Sequence, residues 1–217
     1  MLSLLDNGLF EMREVKICKN HLPIVERFYT IQGEGFNTGK AAYFIRLAGC
    51  DVHCTWCDSK NTWDASLHPS ISIDEILSDI EKVSAENVVI TGGEPLMHDL
   101  TDLCSALRDQ DLNIFIETSG THPLSGQFDW ICLSPKKQCP PLPEVLEAAD
   151  EIKVVISTED DFQWAEENRR KVSKKCLLYL QPDWNRKGII TEQIVEYVKS
   201  HPAWRVSLQT HKFMNIP

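Results

Sequence analysis

The sequence predicts an α/β fold: a partial (β/α)6-type barrel of parallel strands, with the active site at the C-terminal strand ends. Three observations carry this expectation. From residue 40 onward, short β-branched and aromatic runs alternate with helical patterns, which implies a parallel sheet with crossover helices. The repeating units number about six, too few for a closed eight-fold barrel. Finally, consecutive strand ends carry Cys57-Asp58-Ser59, Thr91-Gly92-Gly93-Glu94, Glu117-Thr118-Ser119-Gly120, Ser134-Pro135-Lys136 and Gln181-Pro182-Asp183. Parallel α/β folds place their chemistry on that edge.

Each element has its own local reason. Residues 42–47 (AYFIRL) are aromatic and branched, and read as the first strand of the alternation. Residues 72–83 read as a helix, with Ile73, Ile76, Leu77 and Ile80 at helical spacing; Ser72 is the cap and Glu75 completes a capping box. Residues 87–91 (NVVIT) form the second strand and stop at Gly92-Gly93, and a helix follows over 99–109. Strands are expected at 113–117, 129–133 and 151–156, with a short helix at 144–149 and a longer one from 159 to 172. The sixth strand, 176–180, ends at Gln181-Pro182. A helix at 191–200, capped by Thr191, leads to a last strand at 204–208. Residues 1–23 read as an N-terminal extension and 24–217 as a single domain.

Composition narrows the function. The 217 residues are 25% charged and 42% apolar, with a net charge of −10, an ordinary globular balance. A nucleic-acid binder needs a basic face. The basic run Arg169-Arg170-Lys171 with Lys174-Lys175 sits beside acidic residues and reads as a solvated helix face, so a small-molecule substrate is expected. No apolar run is long enough to span a bilayer. Residues 1–12 carry Asp6 and Glu11 without a basic leader, which favours an extension over a signal peptide and a cytoplasmic location. The eight cysteines in such a chain do not suggest a disulfide framework. Cys18, Cys104, Cys132, Cys139 and Cys176 are scattered and need no special account. Cys50, Cys54 and Cys57 are clustered and do.

Three soft thiolates spaced C-x3-C-x2-C on one loop suit an iron–sulfur cluster or zinc. On a cubane cluster, three cysteines would leave one iron open. The other readings are a structural zinc site with His53 as fourth ligand, for which no second ligand pair is present, and three inert buried thiols.

The motif C-x3-C-x-aromatic-C, with Trp56 as the aromatic, resembles the signature of the radical S-adenosylmethionine superfamily. Gly92-Gly93-Glu94-Pro95 resembles its second motif. Within that superfamily the chain is similar to the 7-carboxy-7-deazaguanine synthases over about residues 24–217. The matching segments are FYTIQGEG (28–35), FIRLAGC (44–50), Cys57-Asp58-Ser59, TGGEP (91–95), IETSGT (116–121), Ser134-Pro135-Lys136 and the tail SLQTHKFMNIP (207–217).

This resemblance implies a lyase reaction: radical ring contraction of 6-carboxy-5,6,7,8-tetrahydropterin to 7-carboxy-7-deazaguanine, with loss of ammonia, in queuosine and deazapurine biosynthesis. It implies a [4Fe–4S] cluster on Cys50, Cys54 and Cys57, with S-adenosylmethionine chelated to the open iron. The S-adenosylmethionine would lie against Trp56, Cys57, Asp58, Gly92, Gly93, Glu94, Ser134, Pro135, Lys136, Gln181, Pro182, Asp183 and Trp184. Glycine permits close backbone approach there, and Glu94 would stabilise the methionine ammonium. Ser59 falls where the family places its Mg2+ ligand, commonly a threonine, and keeps the hard oxygen that Mg2+ prefers. Substrate contacts would come from Ile31, Gln32, Gly33, Glu34, Arg46, Thr91 and the Pro217 carboxylate. An arginine can grip a carboxylate with two parallel bonds. His211 is left between substrate contact and a structural role. A reducing partner such as a flavodoxin or ferredoxin and a homodimer are also implied. The rival readings are a glycyl-radical activating enzyme, against which the Gln32-Gly33-Glu34 segment and the tail argue, and a zinc-stabilised binding module.

Overall fold

The computed structural model describes residues 20–217; the leader reading of residues 1–12 and Cys18 lie outside them. The strands are β1 (His21–Ile31), β2 (Ala41–Leu47), β3 (Ser70–Ser72), β4 (Asn87–Gly92), β5 (Asn113–Thr118), β6 (Trp130–Leu133), β7 (Glu151–Ile156), β8 (Leu177–Pro182) and β9 (Trp204–Val206). The helices are α1 (Ile73–Ile80), α2 (Thr101–Arg108), α3 (Pro143–Ala148), α4 (Asp160–Arg169), α5 (Lys187–Ser200) and α6 (Thr210–Met214).

The strands form one sheet in the order β3-β1-β2-β4-β5-β6-β7-β8-β9. From β2 through β9 every neighbouring pair is parallel. β1 is antiparallel to both β2 and β3. The order is linear, so the barrel is open, as expected. β1 begins at His21, inside the stretch read as an extension. The alternation from residue 40 onward could not reveal it, because β1 and β2 form a hairpin with no crossover helix between them.

Several local expectations are corrected. Ser72 does cap α1, its hydroxyl accepting the Glu75 N–H at 3.2 Å. The Glu75 carboxylate, however, pairs with Arg27 at 2.9 Å, because Arg27 on β1 already bonds Asp79 on the same helix at 2.8 Å. Thr191 is no cap. α5 starts at Lys187, and the Thr191 hydroxyl donates to the Lys187 carbonyl inside the helix at 2.7 Å. β9 stops at Val206, after which Ser207 and the new helix α6 turn the chain back toward β1.

The period of two along the strands separates core from cavity. On β2, Ile45 and Leu47 are fully buried under α1 and α2 with Ile76, Leu103 and Leu107. The alternate residues Phe44 and Arg46 face the inside of the curved sheet and border a cavity. β7 repeats the pattern: Ile152, Val154 and Ile156 pack with Val145, Phe162 and Leu180, while Glu151, Lys153 and Val155 point inward. Each fully buried aliphatic side chain on the helix-facing layer stabilises the fold by about 1.5–3 kcal/mol. Glu151 and Lys153 are also buried, 2% and 4% exposed, and charged groups are almost never buried to that degree unless paired.

Candidate active site

A cavity of about 300 Å3 opens at the C-terminal ends of the parallel strands. Of the residues nominated for the cluster, S-adenosylmethionine, Mg2+ and substrate, all but Pro135 border it. The Pro135 carbonyl instead accepts the Trp164 indole N–H at 3.4 Å, which fixes the loop behind Ser134 and Lys136. Cys104 in α2, Cys132 in β6 and Cys176 in the turn just before β8 are buried.

The cysteine loop leaves β2 at Ala48. Gly49 and Cys50 donate backbone N–H groups to Thr62 and Trp63, at 2.6 and 3.1 Å. These bonds close the loop at its base. Within it, the Cys57 N–H donates to the Cys54 carbonyl at 3.1 Å. The Ser59 N–H reaches the Cys57 sulfur at 3.4 Å, and the Gln138 amide reaches the Cys54 sulfur at 3.2 Å. Bonds of this kind to thiolate sulfurs tune a bound metal centre. Burial pushes the Cys50 and Cys54 thiols up, so a cation must favour their thiolates, as metal coordination does. His53 is exposed, with its ring 4.7 Å from the Trp63 ring, and does not border the cavity. The zinc reading thereby lacks its fourth ligand, whereas three thiols and an open side fit an iron–sulfur cluster.

The glycine turn packs directly on this loop. The Gly93 N–H donates to the Leu47 carbonyl at 3.0 Å and the Glu94 N–H to the Gly49 carbonyl at 2.8 Å. A Cβ on Gly93 would lie 2.2 Å from the Gly49 oxygen and 2.7 Å from the Cys50 Cβ, so only glycine fits. An ammonium only donates, so at this turn it must be met by oxygen acceptors. The Glu94 carboxylate is 1% exposed. It accepts from the Leu96 N–H at 3.0 Å, the Thr118 hydroxyl at 2.5 Å, the Ser119 N–H at 2.7 Å and the Ser119 hydroxyl. This modifies the expected role: Glu94 first ties the turn to the end of β5.

A polar network spans the open side of the barrel. The β1–β2 loop reaches across and is held by inward-facing groups of β5, β7 and β8 and by the segment after β9. Lys153 donates to Glu34 at 2.6 Å and to Glu117 at 2.7 Å. Gln32 donates to Glu117 at 3.1 Å, while Gln181 and Gln209 donate to Glu34 at 3.1 and 2.8 Å. Beneath them, the Phe36 N–H donates to Glu151 at 2.7 Å and the Gly35 N–H to the Ser207 hydroxyl at 3.0 Å. Gly35 has φ +65°, and a Cβ there would meet the Glu151 carboxylate at 2.2 Å. Burial alone would raise the Glu34 carboxyl, but the Lys153 charge and these donors outweigh it and hold it at about 2. Lys153, Gln209 and Lys212 were not singled out from the sequence, and Glu117 entered only as part of its strand-end motif. For Lys153 a signal existed: Glu-Ile-Lys-Val-Val-Ile alternates charged and apolar residues in a strand flanked by parallel neighbours, so the charges must face the interior.

The Radical SAM superfamily description matches residues 44–161. The chain is 53% identical to the 7-carboxy-7-deazaguanine synthase of Flavobacterium psychrophilum, covering 90% of this chain and 93% of that one. It is 49% identical to the enzyme of the same name from Synechocystis, covering 89% and 93%. Among solved structures, the crystal structure of QueE from Escherichia coli superposes with a TM-score of 0.77 at 34% identity, covering 87% of this chain and 93% of that one.

The chain belongs to the 7-carboxy-7-deazaguanine synthase family. Membership makes it a radical S-adenosylmethionine enzyme and implies a [4Fe–4S] cluster and S-adenosylmethionine. Ser59 stands two residues after the last clustered cysteine, and its hydroxyl donates to Asp58 at 3.2 Å. Asp58 in turn receives Lys212 of α6 at 2.5 Å. Arg46 lies on the cavity wall, and its Nε pairs with Glu26 at 2.6 Å. Lys136 is half-buried over the Trp56 ring at 5.0 Å and donates to the Ser134 hydroxyl at 2.6 Å, and desolvation lowers its pKa. The Pro217 carbonyl accepts the Thr30 hydroxyl at 3.3 Å at the cavity mouth. His211 borders the same cavity, with its ring packed where a side chain on Gly33 would sit.

Proposed function

We propose that this chain converts 6-carboxy-5,6,7,8-tetrahydropterin to 7-carboxy-7-deazaguanine, the ring contracting as ammonia leaves. Substrate and product differ by the elements of NH3, so no net oxidation or reduction is needed. One observation carries the reading. The Cys50–Cys54–Cys57 loop and the wall formed by Gln32, Glu34 and Arg46 border one cavity, so a cofactor on the loop and a pterin on the wall share one space. The cluster and S-adenosylmethionine, when bound, would supply the hydrogen-abstracting adenosyl radical.

The chain's own residues bind, orient and shield. Cys50, Cys54 and Cys57 hold the cluster. Trp56, Asp58, Gly92, Gly93, Glu94, Ser134, Pro135, Lys136, Gln181, Pro182, Asp183 and Trp184 position S-adenosylmethionine, Glu94 and Pro135 by fixing the backbone of their turns. Arg46 meets the substrate carboxylate. The acceptor-only carboxylate of Glu34, with Gln32 and the Ile31 and Gly33 backbone, faces the amino and ring N–H edge of the pterin. Thr91 and Pro217 complete the wall. The Ser59 hydroxyl supplies a hard oxygen for Mg2+.

A flavodoxin- or ferredoxin-type reductant, a cytoplasmic setting and a homodimer belong to the same reading. The free cysteines among the described residues accord with a reducing compartment. No helix among the described residues is long and apolar enough to cross a membrane. The test is anaerobic reconstitution with iron and sulfide, followed by addition of a reductant, S-adenosylmethionine, Mg2+ and the pterin. Appearance of the deazapurine carboxylate with one ammonia per turnover supports the reading. A brown, cluster-loaded protein that cleaves S-adenosylmethionine yet leaves the pterin unchanged sinks it, and a colourless zinc protein restores the binding module.

A further inference from the structure

We infer that Lys153 is the positioning residue of the substrate wall: a buried ammonium that bonds the Glu34 and Glu117 carboxylates and holds them aimed into the cavity. The inference deepens the proposed function and rests on it.

The geometry separates the group that aims from the groups that are aimed. The Lys153 side chain is 5% exposed, whereas those of Glu34 and Glu117 are 18% and 19% exposed. The lysine lies behind and the two carboxylates lie in front. They come from different elements, Glu34 from the β1–β2 loop and Glu117 from β5, and Lys153 on β7 bonds both, at 2.6 and 2.7 Å. Without a cation beside it, the half-buried Glu34 carboxylate would be pushed toward its protonated form. A protonated carboxyl presents a donor where a pterin's amino and ring N–H edge needs an acceptor. The second oxygen of each carboxylate is steered by an amide, Gln209 on Glu34 and Gln32 on Glu117. Lys153 is thus the shared cation of a pair of acceptors brought from two sides of an open barrel.

The experiment compares wild type, Lys153→Met and Lys153→Arg after reconstitution with iron and sulfide. Read-outs are iron content, melting temperature, pterin-independent cleavage of S-adenosylmethionine, and KM and kcat for the pterin across pH. Lys153→Met should keep its cluster and cleave S-adenosylmethionine within tenfold of wild type. Its pterin-dependent kcat/KM should fall about 10²-fold, the scale of a misplaced positioning group. Its acid limb of kcat/KM should move to higher pH as Glu34, deprived of the Lys153 charge, retains a proton, with partial rescue in Lys153→Arg. A folded, cluster-loaded Lys153→Met with wild-type KM, kcat and pH profile overturns the inference. If Lys153→Met does not fold, Lys153→Met/Glu117→Gln, which keeps the local net charge, is compared with Glu117→Gln. Equal pterin kinetics in those two also overturn it. If wild type itself ignores the pterin, the proposed function fails first, and this is read from the wild-type arm alone.

Discussion

The Lys212 ammonium lies 2.5 Å from a carboxylate oxygen of Asp58, joining α6 to the loop that carries Cys57. Burial would raise the Asp58 carboxyl, and the Lys212 contact more than offsets it. The pair links an element that follows β9 to the loop that leaves β2, across the mouth of the cavity. Lys212→Met should therefore affect turnover more than stability. Asp58 is 54% exposed, and exposed pairs contribute only about 0–1 kcal/mol. The expected result is a melting temperature within a few degrees of wild type and a raised KM for the pterin. A normal KM would show that α6 stays seated without this contact.

Cys54→Ala should lose the cluster and all turnover. Its sulfur is one of the three proposed cluster ligands and also receives the Gln138 amide. Iron and sulfide content with the visible spectrum give the answer; full iron content with activity intact would defeat the assignment.

Arg46→Ala should weaken pterin binding while leaving cleavage of S-adenosylmethionine largely intact. A charge-assisted bond of this kind contributes roughly 1.5–3 kcal/mol, or about 10- to 150-fold in affinity. Because the Arg46 Nε is paired with Glu26, Glu26→Gln should cost much less. Equal losses in the two variants would make Arg46 a structural partner of Glu26.

The Glu34–Lys153 pair gives a defined pH dependence of stability. Glu34 is lowered in the folded state from 4.5 to about 2. Its contribution is fully present above pH 4.5 and is lost as pH falls toward 2. Lys153 is raised well above 10.5, as its acidic neighbours overcome burial. Its contribution is fully present below 10.5 and is lost as pH rises through the folded value. Urea midpoints across pH should thus show acid sensitivity below about 4.5 in wild type. In Lys153→Met, Glu34 loses its main counter-charge, so this acid loss should shrink or reverse. An unchanged acid limb in the variant would exclude Lys153 as the cause.

Much of the architecture could be read from local pattern. Strands such as 87–91 and 151–156 announce themselves because branched residues run unbroken between breakers, and their C-terminal ends carry the chemistry. Cys50, Cys54 and Cys57 stand out in the sequence because three soft thiols spaced C-x3-C-x2-C on one loop suit a metal centre. β1 was missed because it enters as a hairpin arm with charged and aromatic residues. α6 was missed because five residues give too little period to read. The role of Lys153 depends on partners at positions 34 and 117, which no local window contains. Glu94 shows the opposite error: its motif was visible, but its full set of donors at Leu96, Thr118 and Ser119 is a tertiary fact.

The loop between β1 and β2 also bears on the order in which the chain assembles. Its anchors lie far along the sequence, 115 residues away for Phe36 and Glu151, 119 for Glu34 and Lys153, and 175 for Glu34 and Gln209. Contacts of such long range pay the cost of closing the chain before they return any stability. The β1–β2 hairpin can form early from neighbouring residues, but its tip has nothing to hold until β7, β8 and the segment after β9 are in place. During synthesis, a chain that has not yet emerged past Gln209 has the cysteine loop but an unanchored substrate wall. Competence to bind a pterin is therefore among the last properties this chain acquires as it matures.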